Sequence, residues 1–173
     1  MSNLAGLQIK VATGENSDQV IWMLKDLALW MRENGINQWG YLLEGGDDEE
    51  IEQAIANSET YIVLKGTELV GTFTLLEEPS EWDIHVWGKN ASIDTLYLHR
   101  LAIIPSFMKQ GIGRSLLNWI QANRYEKDYI RLDCVSENSR LKQFYEENGF
   151  ELVGTEDGHS KFEKKMKVEA STV

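Results

Sequence analysis

The segment Leu96–Asn118 reads LYLHRLAIIPSFMKQGIGRSLLN, and its pattern guides the interpretation of the whole chain. An apolar strand runs into a short loop, the loop leads to Gly111 and Gly113, and an apolar-periodic helix follows. The first amides of such a helix have no intrahelical acceptor, and the helix dipole adds partial positive charge beside them. Because glycine has no Cβ, a phosphate can approach this backbone closely. The segment therefore predicts an anion site at a helix N-terminus.

Two familiar phosphate-binding motifs do not fit this pair of glycines. A P-loop needs four residues between its glycines and a lysine after the second, whereas here Arg114 follows Gly113. A dinucleotide fingerprint needs a third glycine at the position of Leu116. A Gly-x-Gly pair alone is common in turns, so other segments have to indicate the ligand. A nucleotide-binding protein is the least favoured of the interpretations.

A second block, Asn138–Phe150, reads NSRLKQFYEENGF. Together the two blocks resemble the hallmark motifs of the GNAT superfamily of acyl-CoA N-acyltransferases. Its first motif, Arg/Gln-x-x-Gly-x-Gly/Ala after a strand, aligns with Met108–Gly113, and its second is an asparagine followed by Tyr-Glu-x-x-Gly-Phe. The resemblance extends over most of the chain and is specific between Leu96 and Phe150. Met108 departs from the family pattern, which has arginine or glutamine there and uses that side chain on the pyrophosphate.

Local patterns predict an element order that matches the GNAT fold. Segment 77–90 is expected to be a polar-aromatic loop that could hold a short strand, and Ser17 is expected to cap the first helix. We expect an α/β (α+β) fold with a mixed, mainly antiparallel sheet flanked by helices, in the order β-α-α-β-β-β-α-β-α-β-β. The predicted strands are 7–12, 60–65, 68–76, 92–103, 129–134, 150–154 and 161–168, and the predicted helices are 17–33, 47–57, 111–125 and 138–148.

Composition restricts the kinds of partner that the chain can have. Its 173 residues are expected to form a single domain, 1–173, and its net charge of −11 makes nucleic acid an unlikely partner. The single cysteine, Cys134, predicts neither a disulfide framework nor a zinc set, so no metal is expected. No apolar run reaches the roughly 18 residues of a membrane span, and a signal-peptide core is lacking. We therefore expect a cytoplasmic protein without a membrane partner, and leave a homodimer open.

The resemblance assigns the acyl donor to two segments. It implies that backbone amides hold the pyrophosphate of coenzyme A at Gln110, Gly111, Ile112, Gly113, Arg114 and Ser115. It also implies that the pantetheine arm lies beside the strand at Leu101, Ala102 and Ile103, where the amide of Leu101 would polarise the thioester carbonyl. Asn138 would contact the pantetheine, although an asparagine at a helix start is just as well explained as a cap.

Two side chains are expected to move protons. The resemblance makes Tyr145 the general acid that protonates the sulfur of coenzyme A, and the alternative is a tyrosine that only packs in the core. His99 interrupts an apolar strand in a Leu-His-x-Leu-Ala context, which in some GNAT amine acetyltransferases carries a histidine that helps to deprotonate the amine. A buried structural histidine, with a carboxylate acting through water as the base, remains the other interpretation.

The predicted activity is transfer of an acetyl group from acetyl-CoA to a primary amine by direct attack in a ternary complex. The acceptor would be a small-molecule or peptide amine, and an acidic protein suits a cationic acceptor. Cys134 lies in an apolar strand without a base beside it in the sequence, so an acyl-cysteine route is not favoured. The alternative from another class is a catalytically silent acyl-CoA-binding regulatory module.

Overall fold

The structure is a computed structural model, and it describes residues 6–36, 38–88, 94–124 and 126–166. Its strands form a seven-stranded mixed sheet in the order β1-β2-β3-β4-β5-β7-β6, as the sequence predicted for the fold class. The strands are β1 (Leu7–Val11), β2 (Thr60–Lys65), β3 (Glu68–Leu76), β4 (Thr95–Ile103), β5 (Tyr129–Val135), β6 (Glu151–Glu156) and β7 (His159–Lys165). The helices are α1 (Ser17–Glu33), α2 (Asp48–Ala56), α3 (Glu81–Trp87), α4 (Ile112–Asn123) and α5 (Ser139–Glu147).

Contacts divide the chain into two compact units, and the first comprises Met1–Leu75 and His99–Leu116. In this unit β1 pairs antiparallel with β2, and β2 pairs antiparallel with β3 through a bulge after Val63. Helix α1 repeats apolar residues at helical spacing, so one face is buried. That face packs into a core built from Ala12, Val20, Met23, Leu24, Leu27, Ala28, Met31, Leu42, Ile51, Ile55, Ile62 and Ala102.

The second unit comprises Leu76–Leu98 and Leu117–Val173, and strand β5 lies inside it. Strand β5 pairs in parallel with β4 over Thr95–Tyr97 and antiparallel with β7 along its whole length. Its residues alternate between half-buried and buried, which gives the strand two different faces. The face of Leu132 adjoins Phe162 of β7, against which Tyr145 of α5 packs. On the other face, Arg131 lies over an aromatic ring of α3.

Three local predictions were wrong. Segment 77–90 is not a loop with a strand, because Ser80 and Asp83 form a reciprocal capping box that starts helix α3. Ser17 is the first residue of α1 rather than its cap, since a short 3-10 turn ending at Asn16 precedes it. Strand β7 begins at His159, before the predicted start. Residues 92–93, 125 and 167–168, at the ends of predicted elements, lie outside the described residues.

Among the described helices, none combines the length and the apolar character that crossing a membrane requires.

Candidate active site

The first turn of α4, in the first unit, has the geometry that an anion site requires. Gly111 has φ +79° and its carbonyl accepts the amide of Ser115, so this glycine caps the helix. The amides of 112–114 then belong to the first turn and have no intrahelical acceptor. A Cβ built on Gly111 would meet no described atom within 4 Å apart from its chain neighbours, so the space in front of this glycine is open. The predicted phosphate-binding residues 110–115 lie at this helix N-terminus.

The departure at Met108 has a structural reason. Its side chain is half-buried and packs against the apolar core of the first unit. An arginine or glutamine at this position would bring a polar group to that core, where an unpaired polar group is costly. Around the glycine turn, Gln110 is exposed and its side-chain amide donates to the carbonyl of Ser106 at 3.3 Å. The predicted anion site would therefore consist mainly of backbone amides.

Strand β4 contains a non-glycine residue in the left-handed region. Arg100 has φ +51° in the middle of the strand, a conformation that costs free energy and recurs where a strand is bent near a functional site. Beyond it, Ala102 is buried while Leu101 and Ile103 are half-buried. The predicted pantetheine-binding residues therefore follow directly after an irregular point of the strand.

Charged side chains at the start of α2 and on β4 meet in the first unit. Nη1 of Arg100 lies 3.3 Å from Oδ2 of Asp47, and the two side chains are only 12% and 17% exposed. Partial burial raises the pKa of the Glu50 carboxyl above its usual value, and the neighbouring Asp47 acts in the same direction. Arg100 and His99 oppose this shift. His99, the predicted base, thus lies within electrostatic range of a carboxylate on α2.

Tyr145 is a buried side chain of the second unit, with 5% of its surface exposed. Its ring makes edge contacts with Phe144 and Phe150 and a tilted contact with Phe162. Burial raises the pKa of the Tyr145 phenol well above 10, and the nearby Cys134 and Asp133 add to the effect. The phenol is therefore protonated throughout the physiological pH range, as a proton donor must be.

The raised pKa of the Cys134 thiol shows that this part of the second unit disfavours a negative charge. The side chain is 1% exposed, and burial raises its pKa to about 12. A thiolate is the nucleophilic form of cysteine, so this residue is unreactive in the folded protein. A route through an acyl-cysteine is therefore not supported.

Asn138 caps helix α5. Its side-chain oxygen accepts the amide of Leu141 at 3.2 Å, which satisfies one of the free donors of the helix start. Capping explains why an asparagine stands at this position. It leaves the side-chain NH₂ group and the second lone pair of the side-chain oxygen for any contact with a ligand.

A polar cluster on the α3 side of β5 is the part of the molecule that the sequence did not predict. Asp133 accepts the indole N–H of Trp82 at 3.1 and 3.2 Å, and its Oδ2 lies 2.9 Å from Nδ1 of His159. Residues of β5 alternate between two faces, and Asp133 lies on the face opposite the apolar one. This alternation is visible in the sequence and could have drawn attention to Asp133. Its pairing with His159 depends on strand register and is not visible in the sequence.

Within the described residues, no group of three or more His, Cys, Asp and Glu side chains is arranged to hold a metal ion.

Comparison with known proteins identifies the class of enzyme to which the chain belongs. A family model described as acetyltransferase (GNAT) domain matches residues 56–152. A Bacillus subtilis (strain 168) protein named uncharacterized N-acetyltransferase YesJ is 37% identical over 161 residues, covering 91% of this chain and 89% of that protein. The chain therefore belongs to the GNAT family of acetyltransferases, and it is an acyltransferase enzyme.

Solved structures agree with this assignment. A GNAT acetyltransferase of Listeria monocytogenes 4b F2365 superposes with a TM-score of 0.80 at 27% identity, covering 92% of this chain and 94% of that one. The PaiA N-acetyltransferase of Thermoplasma acidophilum, solved in complex with coenzyme A, gives a TM-score of 0.72 at 21% identity, covering 92% and 98%. The second likeness shows that the fold is shared.

Proposed function

We propose that this enzyme transfers an acetyl group from acetyl-CoA to a primary amine by direct attack in a ternary complex. The observation that carries the proposal is the open first turn of α4, where Gly111 adopts a left-handed conformation and has no neighbour in front of it. The coenzyme A bound to the PaiA enzyme supports coenzyme A as the carrier of the donor. Family membership supports an amine as the acceptor.

The donor would bind to the first unit through backbone groups. Amides of residues 110–115 would hold the pyrophosphate, and the edge of β4 at residues 101–103 would hydrogen-bond the pantetheine arm like an added strand. The amide of Leu101 would polarise the thioester carbonyl as negative charge develops on its oxygen. Because Met108 packs into the core, the pyrophosphate is held without a side chain from that position.

Tyr145 would protonate the departing sulfur. Thiols ordinarily ionise near pH 8.5 and phenols near pH 10, so transfer of a proton from a phenol to a thiolate is unfavourable in water. Burial raises the pKa of a thiol, as the value of about 12 for Cys134 illustrates. A coenzyme A sulfur that departs in apolar surroundings would therefore be a stronger base than in water, which favours its protonation by Tyr145.

His99 would accept the proton that the attacking nitrogen carries after the new bond forms. The carboxyl of Glu50, whose pKa is raised by partial burial, interacts with the charge of His99 and is suited to receive this proton in turn. This combines the two candidate bases, a histidine and a carboxylate, in a single relay within the first unit.

Calorimetric titration with acetyl-CoA, with ATP and NAD as controls, tests the donor site. The matched variants Gly111→Asp and Gly111→Asn differ by one negative charge, and both residues tolerate a left-handed backbone. We expect micromolar binding of acetyl-CoA by the Asn variant and by the unaltered enzyme, and at least about tenfold weaker binding by the Asp variant, because like charges repel at the anion site. If both variants bind acetyl-CoA as tightly as the unaltered enzyme does, the anion site lies elsewhere.

A panel of acceptors tests the catalytic step. Spermidine, lysine, kanamycin and a peptide with a free N-terminus sample a polyamine, an amino acid, an antibiotic and a protein amino group. Release of coenzyme A in the presence of one class would identify the acceptor. Tight binding of acetyl-CoA with no transfer to any amine would replace the enzyme proposal by a silent acyl-CoA-binding module.

A further inference from the structure

Strand β4 changes character at Arg100. Its residues Thr95–Leu98 are all buried, whereas His99, Arg100 and Leu101 are only half-buried. Arg100 has φ +51°, a conformation in which the Cβ of a non-glycine residue crowds the following carbonyl oxygen. Glycine adopts this conformation without that cost. An arginine at this position therefore has to be held in its conformation by its surroundings.

The Arg100 side chain is held by Asp47, which directly precedes helix α2. Nη1 of Arg100 donates to Oδ2 of Asp47 at 3.3 Å, and the two side chains are 12% and 17% exposed. An ion pair that is largely withdrawn from water is costly to break, because one charge is then left without its partner. The main chain of Asp47 is fixed as well, since its carbonyl accepts the amide of Ile51 at 2.9 Å. The start of α2 therefore anchors the guanidinium group of Arg100.

The conformation of Arg100 determines the direction of the next amide. The N–H of Leu101 belongs to the planar peptide group that follows Arg100, so it turns as that group turns. Changing φ of Arg100 to the negative value of a regular strand would rotate this group relative to the preceding part of β4. The irregular point of the strand is thus placed directly before the amide that is proposed to polarise the thioester carbonyl.

The amide of Leu101 lies on the edge of β4 that faces away from β3. The amide of Ile104 donates to the carbonyl of Val70 in β3 at 3.0 Å, and the carbonyl of Ala102 lies so close to β3 that a Cβ on Gly71 would be 2.9 Å from it. Successive residues of an extended strand direct their main-chain groups to opposite edges. Leu101 alternates with these two residues, so its amide is available to a ligand that lies along the other edge.

We propose that Asp47 and Arg100 are positioning residues, whose ion pair holds β4 in the conformation that presents the Leu101 amide to the thioester carbonyl of acetyl-CoA. This inference rests on the proposed function. Negative charge develops on the carbonyl oxygen as the amine nitrogen forms the C–N bond, and it passes to the sulfur as the C–S bond breaks. An amide that is fixed in advance stabilises this charge without reorganisation. Neither side chain touches the substrate in this role.

The ion pair also borders the Glu50 carboxyl, so its effect on charge has to be separated from its effect on conformation. Burial raises the pKa of Glu50, Asp47 adds to the rise, and Arg100 opposes it. Any variant that removes the guanidinium therefore changes the surroundings of a proposed proton acceptor. Two variants that remove the same charge change these surroundings equally, and the ratio of their rates cancels the effect.

The decisive comparison is between Arg100→Gly and Arg100→Val. Both remove the guanidinium, but glycine adopts φ +51° freely, whereas a β-branched residue strongly resists it. With the best acceptor of the panel, we expect kcat of the Val variant to be about 10²-fold below that of the Gly variant, the usual cost of losing an oxyanion donor. Acetyl-CoA affinity in calorimetry should be similar in the two variants, because the proposed pyrophosphate contacts lie elsewhere in the chain.

Asp47→Asn tests the other member of the pair. It should lower kcat by about tenfold or more when Arg100 is present, and it should add little to Arg100→Gly, because a glycine needs no partner to keep its conformation. Lys25→Gln is the matched control. It removes the 3.0 Å ion pair with Asp48 at the start of the same helix, where the side chains are 34% and 37% exposed, so kcat should match that of the unaltered enzyme.

Two results would overturn this inference and leave the proposed function intact. Equal kcat in the Gly and Val variants would mean that the conformation of Arg100 does not govern catalysis. Fully additive losses from Asp47→Asn and Arg100→Gly would mean that Asp47 does not act through Arg100. If thermal unfolding shows that the Val variant does not fold, Arg100→Ala replaces it, since alanine also disfavours a left-handed backbone. An unaltered enzyme that acetylates no amine refutes the proposed function, and the inference with it.

Discussion

Replacing Gly71 by alanine should lower both the stability of the protein and its affinity for acetyl-CoA. Gly71 lies in β3, and a Cβ added there would be 2.9 Å from the carbonyl oxygen of Ala102 and 3.1 Å from Cδ1 of Ile103. The first of these atoms belongs to the backbone, so it can move only if β4 moves. The displaced residues are those proposed to bind the pantetheine arm.

The size of the effect follows from this crowding. Overpacking a well-filled site costs about 1–3 kcal/mol. Alanine also restricts the unfolded chain, which returns about 0.4–1 kcal/mol, since φ of Gly71 is not in the left-handed region. The net loss is then about 1–2 kcal/mol. A protein of this size loses about 2–4 °C in Tm per kcal/mol, so Tm should fall by about 2–8 °C.

Thermal unfolding and acetyl-CoA titration of the same variant measure the two effects together. Gly14→Ala is the control, because Gly14 has no atom within 4 Å of an added Cβ and no positive φ. It should keep both properties close to those of the unaltered protein. If Gly71→Ala behaves like Gly14→Ala in both measurements, the contact between β3 and β4 does not constrain the donor-binding strand, and the reasoning is refuted.

Three further predictions concern single side chains. Tyr145→Phe should lower kcat by about 10²-fold or more with little change in acetyl-CoA affinity, and an unchanged kcat in an assay limited by chemistry would remove the acid role. Asp47→Asn should cost about 1–3 kcal/mol in urea unfolding because it removes the ion-pair partner of the largely buried Arg100 side chain, and adding Arg100→Met should recover part of the loss. Because burial raises the pKa of Cys134 to about 12, iodoacetamide at pH 8 should alkylate it only after unfolding; labelling of the folded protein in mass spectra would contradict this.

Regular helices with a clear apolar period were predictable from sequence. Helix α1 ends at Glu33 as predicted and begins at Ser17, the residue predicted to cap it, and α5 agrees with its prediction within one residue at each end. Helix α3 was missed because its seven residues are too few to show a period and include residues common in strands. The capping box of Ser80 and Asp83 was visible in the sequence and was the better signal.

The candidate site also contains residues that could be predicted from the sequence and residues that could not. The glycine turn before α4 was predictable because its glycines, helix and strand are contiguous, and Gly111 has the left-handed conformation that such a turn needs. Its role in binding the donor stays a prediction. The pair of Asp133 and His159 was not, because the two residues meet only through the register of β5 and β7. Met108 could be recognised as a departure, but only packing explains it. The roles assigned to Tyr145 and His99 stay predictions.

The two compact units are interleaved along the chain, because β4 and α4 each contribute residues to both. This fixes the order in which a ribosome can complete them. When the residues up to Leu98 have been synthesised, the first unit still lacks His99–Leu116, so its core has no Ala102. The second unit has by then received only Leu76–Leu98. A nascent chain paused there therefore carries two unfinished cores, and no N-terminal fragment ending before Leu116 contains a complete one.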